Sequence, residues 1–301
     1  AQRTKTKSKL RGTGNLLYLL EKENKNMNRY VFKKIMIEII IPIVLLLLPF
    51  TIPLYKVAFD VQALSSIFSL IFAILVGFFI ATATTNYINF CSYLADEGAY
   101  LISLYNFAKL VKPSIVKKLG NAIDTYNIAT LDYSLVEYAE KTRIEFQSII
   151  DLVDIIDPSD KKERRIAALS LMHEVKFNLI KTLRSITFTA PRVVLRLHWF
   201  ILIILTVILS FLLLSLRTGE LLSYVVTGFM ILSLYLILYL LYEVDSNKFL
   251  EKQLAYEDPQ KIFQAIGKPR YYPEIAFSRG HAKIPNETYR IGIYKNFPQS
   301  M

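Results

Sequence analysis

Charge is the first thing this chain lacks. Residues 61–95 contain no Asp, Glu, Lys or Arg, and the same holds for 39–55, 197–216 and 221–242. Such runs cannot be surface elements of a water-soluble domain, whose outer faces carry charge. Cysteine is nearly absent too. The single Cys91 cannot close an intramolecular disulfide, which excludes a disulfide-stapled scaffold and leaves the redox compartment open. Glycine is scarce, 10 residues in 301, and there is no phosphate loop, dinucleotide fingerprint or nucleophile elbow. The three histidines, His173, His198 and His281, are too scattered for a metal-ligand pattern, and Glu257-Asp258 reads as a solvated pair. The chain is therefore expected not to be an enzyme, with no catalytic residues, no metal and no cofactor.

What is present is apolar. The chain is 53% hydrophobic with a mean hydropathy of +0.35, above the range of soluble domains. A helix rising 1.5 Å per residue needs about 20 apolar residues to span a bilayer. The four uncharged runs thus predict an all-α integral membrane protein with four transmembrane helices, the 17-residue run 39–55 needing interfacial residues to reach across. The 35-residue run 61–95 exceeds the requirement and ends in Asp96-Glu97-Gly98-Ala99-Tyr100, so its helix is expected to cross and continue beyond. The organisation read from this is a basic arm (1–34), spans one and two (35–95), a large helical cytoplasmic region (96–196), spans three and four (197–243) and a tail (244–301).

Basic residues orient these spans. Ten of the 36 Lys and Arg lie in the first 34 residues, while the two short connections hold only Lys56 and Arg217. Lys109, Lys112, Arg192, Arg196, Lys248 and Lys252, close to span ends, point the same way. Both termini and the central region are expected on the cytoplasmic side. The net charge of +11 then follows from topology and contact with anionic lipid headgroups, and calls for no nucleic acid. The first span lacks the form of a cleavable signal.

Within the spans, Pro42, Pro49 and Pro53 share one face of the first and predict a bent helix. In the second, Ser66, Ser69, Ala73, Gly77, Ala81 and Thr84 recur every three or four residues as a stripe of small and polar side chains. Two readings of this stripe stand open: close packing of helices in lipid, or the lining of a narrow pore. Beyond residue 95 the helix is expected to run through Leu101, Leu104, Tyr105, Ala108 and Val111 to a break at Pro113. A further helix is expected over Ile123, Tyr126, Ile128, Leu131, Leu135 and Tyr138, and another after the turn signal Asp157-Pro158-Ser159-Asp160. His198 and Trp199 open the third span at an interfacial position. The tail, with Pro259, Pro273, Pro285 and Pro298, is read as an extended arm wrapping a neighbouring surface.

Phe72-Ala73-Ile74-Leu75-Val76-Gly77-Phe78, then Asn86-Tyr87, Glu97-Gly98-Ala99 and Leu104-Tyr105, resemble a bacterial family of bestrophin-like membrane proteins, distant relatives of the bestrophin anion channels. In the tail, Asp245, Phe249 and Pro259 match the segment that follows the last span in that family. Asn86 stands where the family has Arg, Gly98 where it has Ala, and the tail's Pro and Gly are missing. The resemblance covers residues 40–112 and 195–265 and marks Glu97, Tyr105, Asp245 and Phe249 as family-signature positions. It implies a homo-oligomer, often of five protomers around a central axis, conducting small inorganic anions, with the second span lining the pore. Ile67, Ile74 or Phe78 would then supply an apolar constriction. The layout suits a bacterial inner membrane, or the inner membrane of an organelle. The rival expectation is a non-conducting scaffold or accessory subunit of a larger membrane complex.

Overall fold

The structure is a computed structural model that describes residues 36–54, 60–157, 163–246, 257–273, 276–277, 282 and 287–292. The basic arm (1–34), Lys56, Phe249 and His281 lie outside the described residues. A π-helical turn, Met36–Ile40, leads into α1 (Ile41–Thr51), followed by α2 (Val61–Val111), α3 (Val116–Leu131), α4 (Tyr138–Lys141), α5 (Arg143–Asp154), α6 (Glu163–Thr189), α7 (Arg196–Ser215), α8 (Leu221–Asp245) and α9 (Glu257–Ala265). Two short strands, β1 (Arg270–Pro273) and β2 (Tyr289–Gly292), pair in parallel, with Arg270 opposite Tyr289.

The chain is mostly helical, and three helices are long and apolar enough to cross a membrane: α2, α7 and α8. The expected first span is shorter than its uncharged run, because π-turn and α1 together cover only Met36–Thr51. Proline sets its C-terminal limit. Ile52, just before Pro53, takes the extended conformation (φ −88°, ψ 130°) that the following ring favours, which stops the helix. Within it, the π-turn precedes Pro42, whose ring removes a backbone donor.

Two compact units divide the residues. The first takes in the described residues up to Ile74 together with Phe200–Tyr239. Here α1 packs on α8 so closely that a Cβ at Gly228 would stand 2.6 Å from the Leu46 carbonyl oxygen. Only a glycine admits that approach, a use of small residues expected between helices in lipid. Tyr235 donates its hydroxyl hydrogen bond to the Ile37 carbonyl at 2.9 Å, and Phe50 stacks on Tyr224 at 5.4 Å. At the far end of α1, Arg217 is buried and donates to the carbonyls of Leu214, Pro49, Ile52 and Pro53. The reason lies in the sequence: Pro53 has no N–H, so the Pro49 carbonyl four residues earlier loses its helical donor. The guanidinium, with five donors in a fixed fork, replaces that donor and caps the terminus.

The second unit comprises Leu75–Trp199 with the described residues from Leu240 onward. Its main core is an apolar cluster of Leu101, Leu104, Ala108 and Val111 from α2, Leu119, Ile123 and Tyr126 from α3, Ile149 and Val153 from α5, and Met172 and Leu179 from α6, beside a smaller cluster of Phe90, Tyr138, Ala139, Ile186 and Ala190. As expected, α2 runs without interruption to Val111 and breaks before Pro113.

Two expectations need correction. The helix through Ile123 ends at Leu131 rather than continuing to Tyr138. Asp132 takes the C-cap and accepts the Tyr271 hydroxyl at 2.8 Å, so a turn intervenes before α4. The tail is also more than an extended arm. Ile262 and Phe263 of α9, Ile266 just beyond it and Tyr271 of β1 join the main core. Gln260 fixes β1 by exchanging two hydrogen bonds with the Tyr271 backbone at 2.8 and 3.1 Å. Arg290 of β2 reaches Asp124 of α3 in a bidentate pair at 2.9 and 2.6 Å.

Candidate functional site

The long helix α2 presents two differently used faces. Phe72, Val76, Phe79, Ala83 and Phe90 are buried at steps of three, four and seven, the repeat of a single helix face. Ser66, Ser69, Ala73, Gly77 and Ala81 are all exposed, and Thr84 is half-buried. A Cβ at Gly77 would meet no atom within 4 Å. Ser66, Ser69, Ala73, Gly77 and Ala81 are thus left uncovered by the described residues. Ser66 donates its hydroxyl hydrogen bond back to the Gln62 carbonyl at 3.0 Å, which leaves the side chain with no uncompensated donor on an apolar surface. Beside the stripe, Ile67, Ile74 and Phe78 are each more than half exposed, at 55%, 63% and 63%.

Past the uncharged run the same helix carries Glu97, which is 7% exposed. Tyr126 of α3 donates its hydroxyl to Glu97 Oε1, and Tyr138 of α4 donates to Oε2 at 2.6 Å. Burial pushes the Glu97 carboxyl up from its ordinary value, against the opposing effect of the two hydroxyls. The same burial, together with the facing carboxyl, holds both tyrosines well above the usual phenol range. Glu97 was legible in sequence only through its resemblance. Its tyrosine partners read there as ordinary apolar-face residues, because a pairing across 29 and 41 residues leaves no local pattern.

A cleft of about 290 Å³ opens beside this cluster. Glu97, Tyr126 and Tyr138 line it together with Leu94, Leu131, Leu135 and Ile262, while Asp258 and Lys261 of α9 pair at 2.6 Å as part of its lining. Among the described residues no cluster of three or more metal-ligating side chains occurs.

The other signature residues are absorbed by packing. Tyr105 lies against Gly120, where a Cβ would come within 3.1 Å of its ring, and its hydroxyl donates to the Ile266 carbonyl at 3.5 Å. Asp245, at the end of α8, is buried and accepts the backbone N–H groups of Val193 and Val194, each at 2.9 Å. It thus orders the short segment before α7. Asn86, at the position where the bestrophin-like pattern has Arg, donates to the Thr189 carbonyl at 2.9 Å and ties α2 to the end of α6. The structure brings Glu97 and Tyr105 into one core, places Asp245 elsewhere in the same unit, and leaves Phe249 outside the described residues.

Comparison of the chain with protein-family models, with curated proteins and with solved structures finds no match.

Proposed function

We propose that this chain is the subunit of a homo-oligomeric, bestrophin-like ion channel that conducts small inorganic anions, with α2 facing the pore. The observation that carries the reading is the stripe Ser66, Ser69, Ala73, Gly77 and Ala81, exposed among the described residues and continued by the half-buried Thr84. Small side chains on an apolar helix that the protomer leaves bare suit a surface shared around an axis, where backbones approach and space for an ion remains. In this reading four helices cross the membrane. The stretch Met36–Thr51, roughly 24 Å long as helix, reaches across with the flanking residues to Leu54. Both termini and residues 96–196 lie in the cytoplasm of a bacterial-type inner membrane, and bilayer lipid covers the remaining apolar faces. Ile67, Ile74 and Phe78 supply an apolar constriction, and a positive vestibule with helix-end dipoles supplies anion preference.

A second reading, a non-conducting scaffold or accessory subunit, draws on a specific observation. Tyr105 and Asp245 are held by internal contacts and Glu97 bonds two tyrosines of its own chain, so none of these positions calls for a pore. Liposome flux with purified protein separates the two. Chloride or nitrate flux is expected from the native chain and should vanish in Gly77→Trp, whose ring would fill the stripe. No flux of any small anion or cation from the native chain would refute the channel.

A further inference from the structure

The cleft beside Glu97 plays no part in the conduction reading. Its walls are apolar, formed by Leu94, Leu131, Leu135 and Ile262, and a buried carboxyl lies in its lining. Each oxygen of that carboxyl accepts one tyrosine hydroxyl. A carboxylate has room for about four donors, so two hydrogen bonds leave acceptor capacity unused and bring no charge. Away from water such a group needs either a proton or a cation. The ionisable groups around it are Cys91 on α2, Tyr126 on α3, Tyr138 on α4, Glu145 on α5, and Asp258 and Lys261 on α9. Lys261, the one cation among them, pairs with Asp258 at 2.6 Å. Glu145 adds a second carboxylate next to Tyr126, and its buried Oε2 has no partner. In the cleft lining the carboxyls of Glu97 and Asp258 stand against the single cation of Lys261.

We propose that this cleft binds a small organic ammonium, its apolar body against Leu131, Leu135 and Ile262 and its positive head on the Glu97 carboxylate. The volume, at about 30 Å³ per water-sized group, admits a ligand of roughly ten non-hydrogen atoms. Proton and ammonium compete for one carboxylate. Burial raises the proton's hold, so the amine binds more tightly as pH rises, by up to about tenfold per pH unit while Glu97 is protonated in the free protein.

The test uses the full chain in detergent and three probes of matched size: cyclohexylammonium, cyclohexanol and cyclohexanecarboxylate. A saturable rise in the thermal unfolding midpoint is expected with cyclohexylammonium, larger at about pH 8 than at about pH 6. The carboxylate should give none, and the alcohol less than the ammonium. Glu97→Gln, which keeps an acceptor for one tyrosine, should lose the ammonium response. Ile102→Trp, which narrows the cleft and leaves Glu97 in place, should lose it too and serves if the first variant does not fold. Equal stabilisation by ammonium and alcohol, no response to any probe, or a response surviving in a folded variant would overturn the proposal. It is independent of conduction: a protein that passes no ions could still bind the amine.

Discussion

At Glu97 a carboxyl accepts two tyrosine hydroxyls and, among the described residues, no basic side chain is bonded to it; this arrangement sets a pH dependence. Its affinity for a proton is higher in the folded chain than in the unfolded one. The stability it contributes is therefore complete below the ordinary carboxylate range and is lost as pH rises through the raised value. As pH rises above the ordinary carboxylate range, the thermal midpoint of the native chain should fall relative to that of Glu97→Gln. Parallel curves would mean that the carboxyl does not change state on folding. Arg217 makes a second residue-scale prediction. Arg217→Ala leaves the Pro49, Ile52 and Pro53 carbonyls without their donor, at a cost of about 3 kcal/mol in unfolding titrations. Arg217→Lys should recover only part of it, because an ammonium cannot fork across three carbonyls. Asp245→Ala should lose about 2 kcal/mol by orphaning the Val193 and Val194 N–H groups, with Asp245→Asn, which keeps an acceptor, losing less.

At the scale of elements, the uninterrupted 51 residues of α2 amount to about 76 Å of helix, far beyond a bilayer core. Its length was legible because nothing in 61–111 breaks a helix and Pro113 does. The ends of α1 were not. Three prolines announced a bend, yet where the helix stops depends on whether a donor exists for the Pro49 carbonyl, and that donor sits 168 residues away. Gly228 likewise carried no local signal. Its importance comes from the Leu46 carbonyl across the helix pair, and Gly228→Ala should cost about 1–3 kcal/mol through forced separation of α1 and α8. A variant as stable as the native chain would show that the two helices part without loss. The tail followed the same logic. Its prolines suggested an extended arm, but Ile262, Phe263 and Ile266 had an apolar core to join once α2, α3 and α5 had formed it.

At the scale of the molecule, many large apolar side chains stand exposed on α1, α2, α7 and α8, among them Leu70, Val207 and Leu221 at 63%, 63% and 73%. Water would not support such a surface; lipid, or further copies of the chain, would. On the channel reading, purified particles should show closed rotational symmetry with α2 nearest the axis. A single copy beside unrelated chains would favour the scaffold reading instead.

The sequence by itself determined the broad class. Hydropathy and helical periodicity are local properties, so helix content, the three long apolar helices and the stripe on α2 can be read along the chain. It could not tell whether that stripe meets the chain's own helices, since exposure depends on what folds against it; among the described residues, Ser66 to Ala81 of the stripe stay exposed. The partners of Glu97, Asp245 and Arg217 were likewise decided only in three dimensions. Each pairing joins residues far apart in sequence, and a buried polar group is satisfied by whatever donor or acceptor the packing brings within reach.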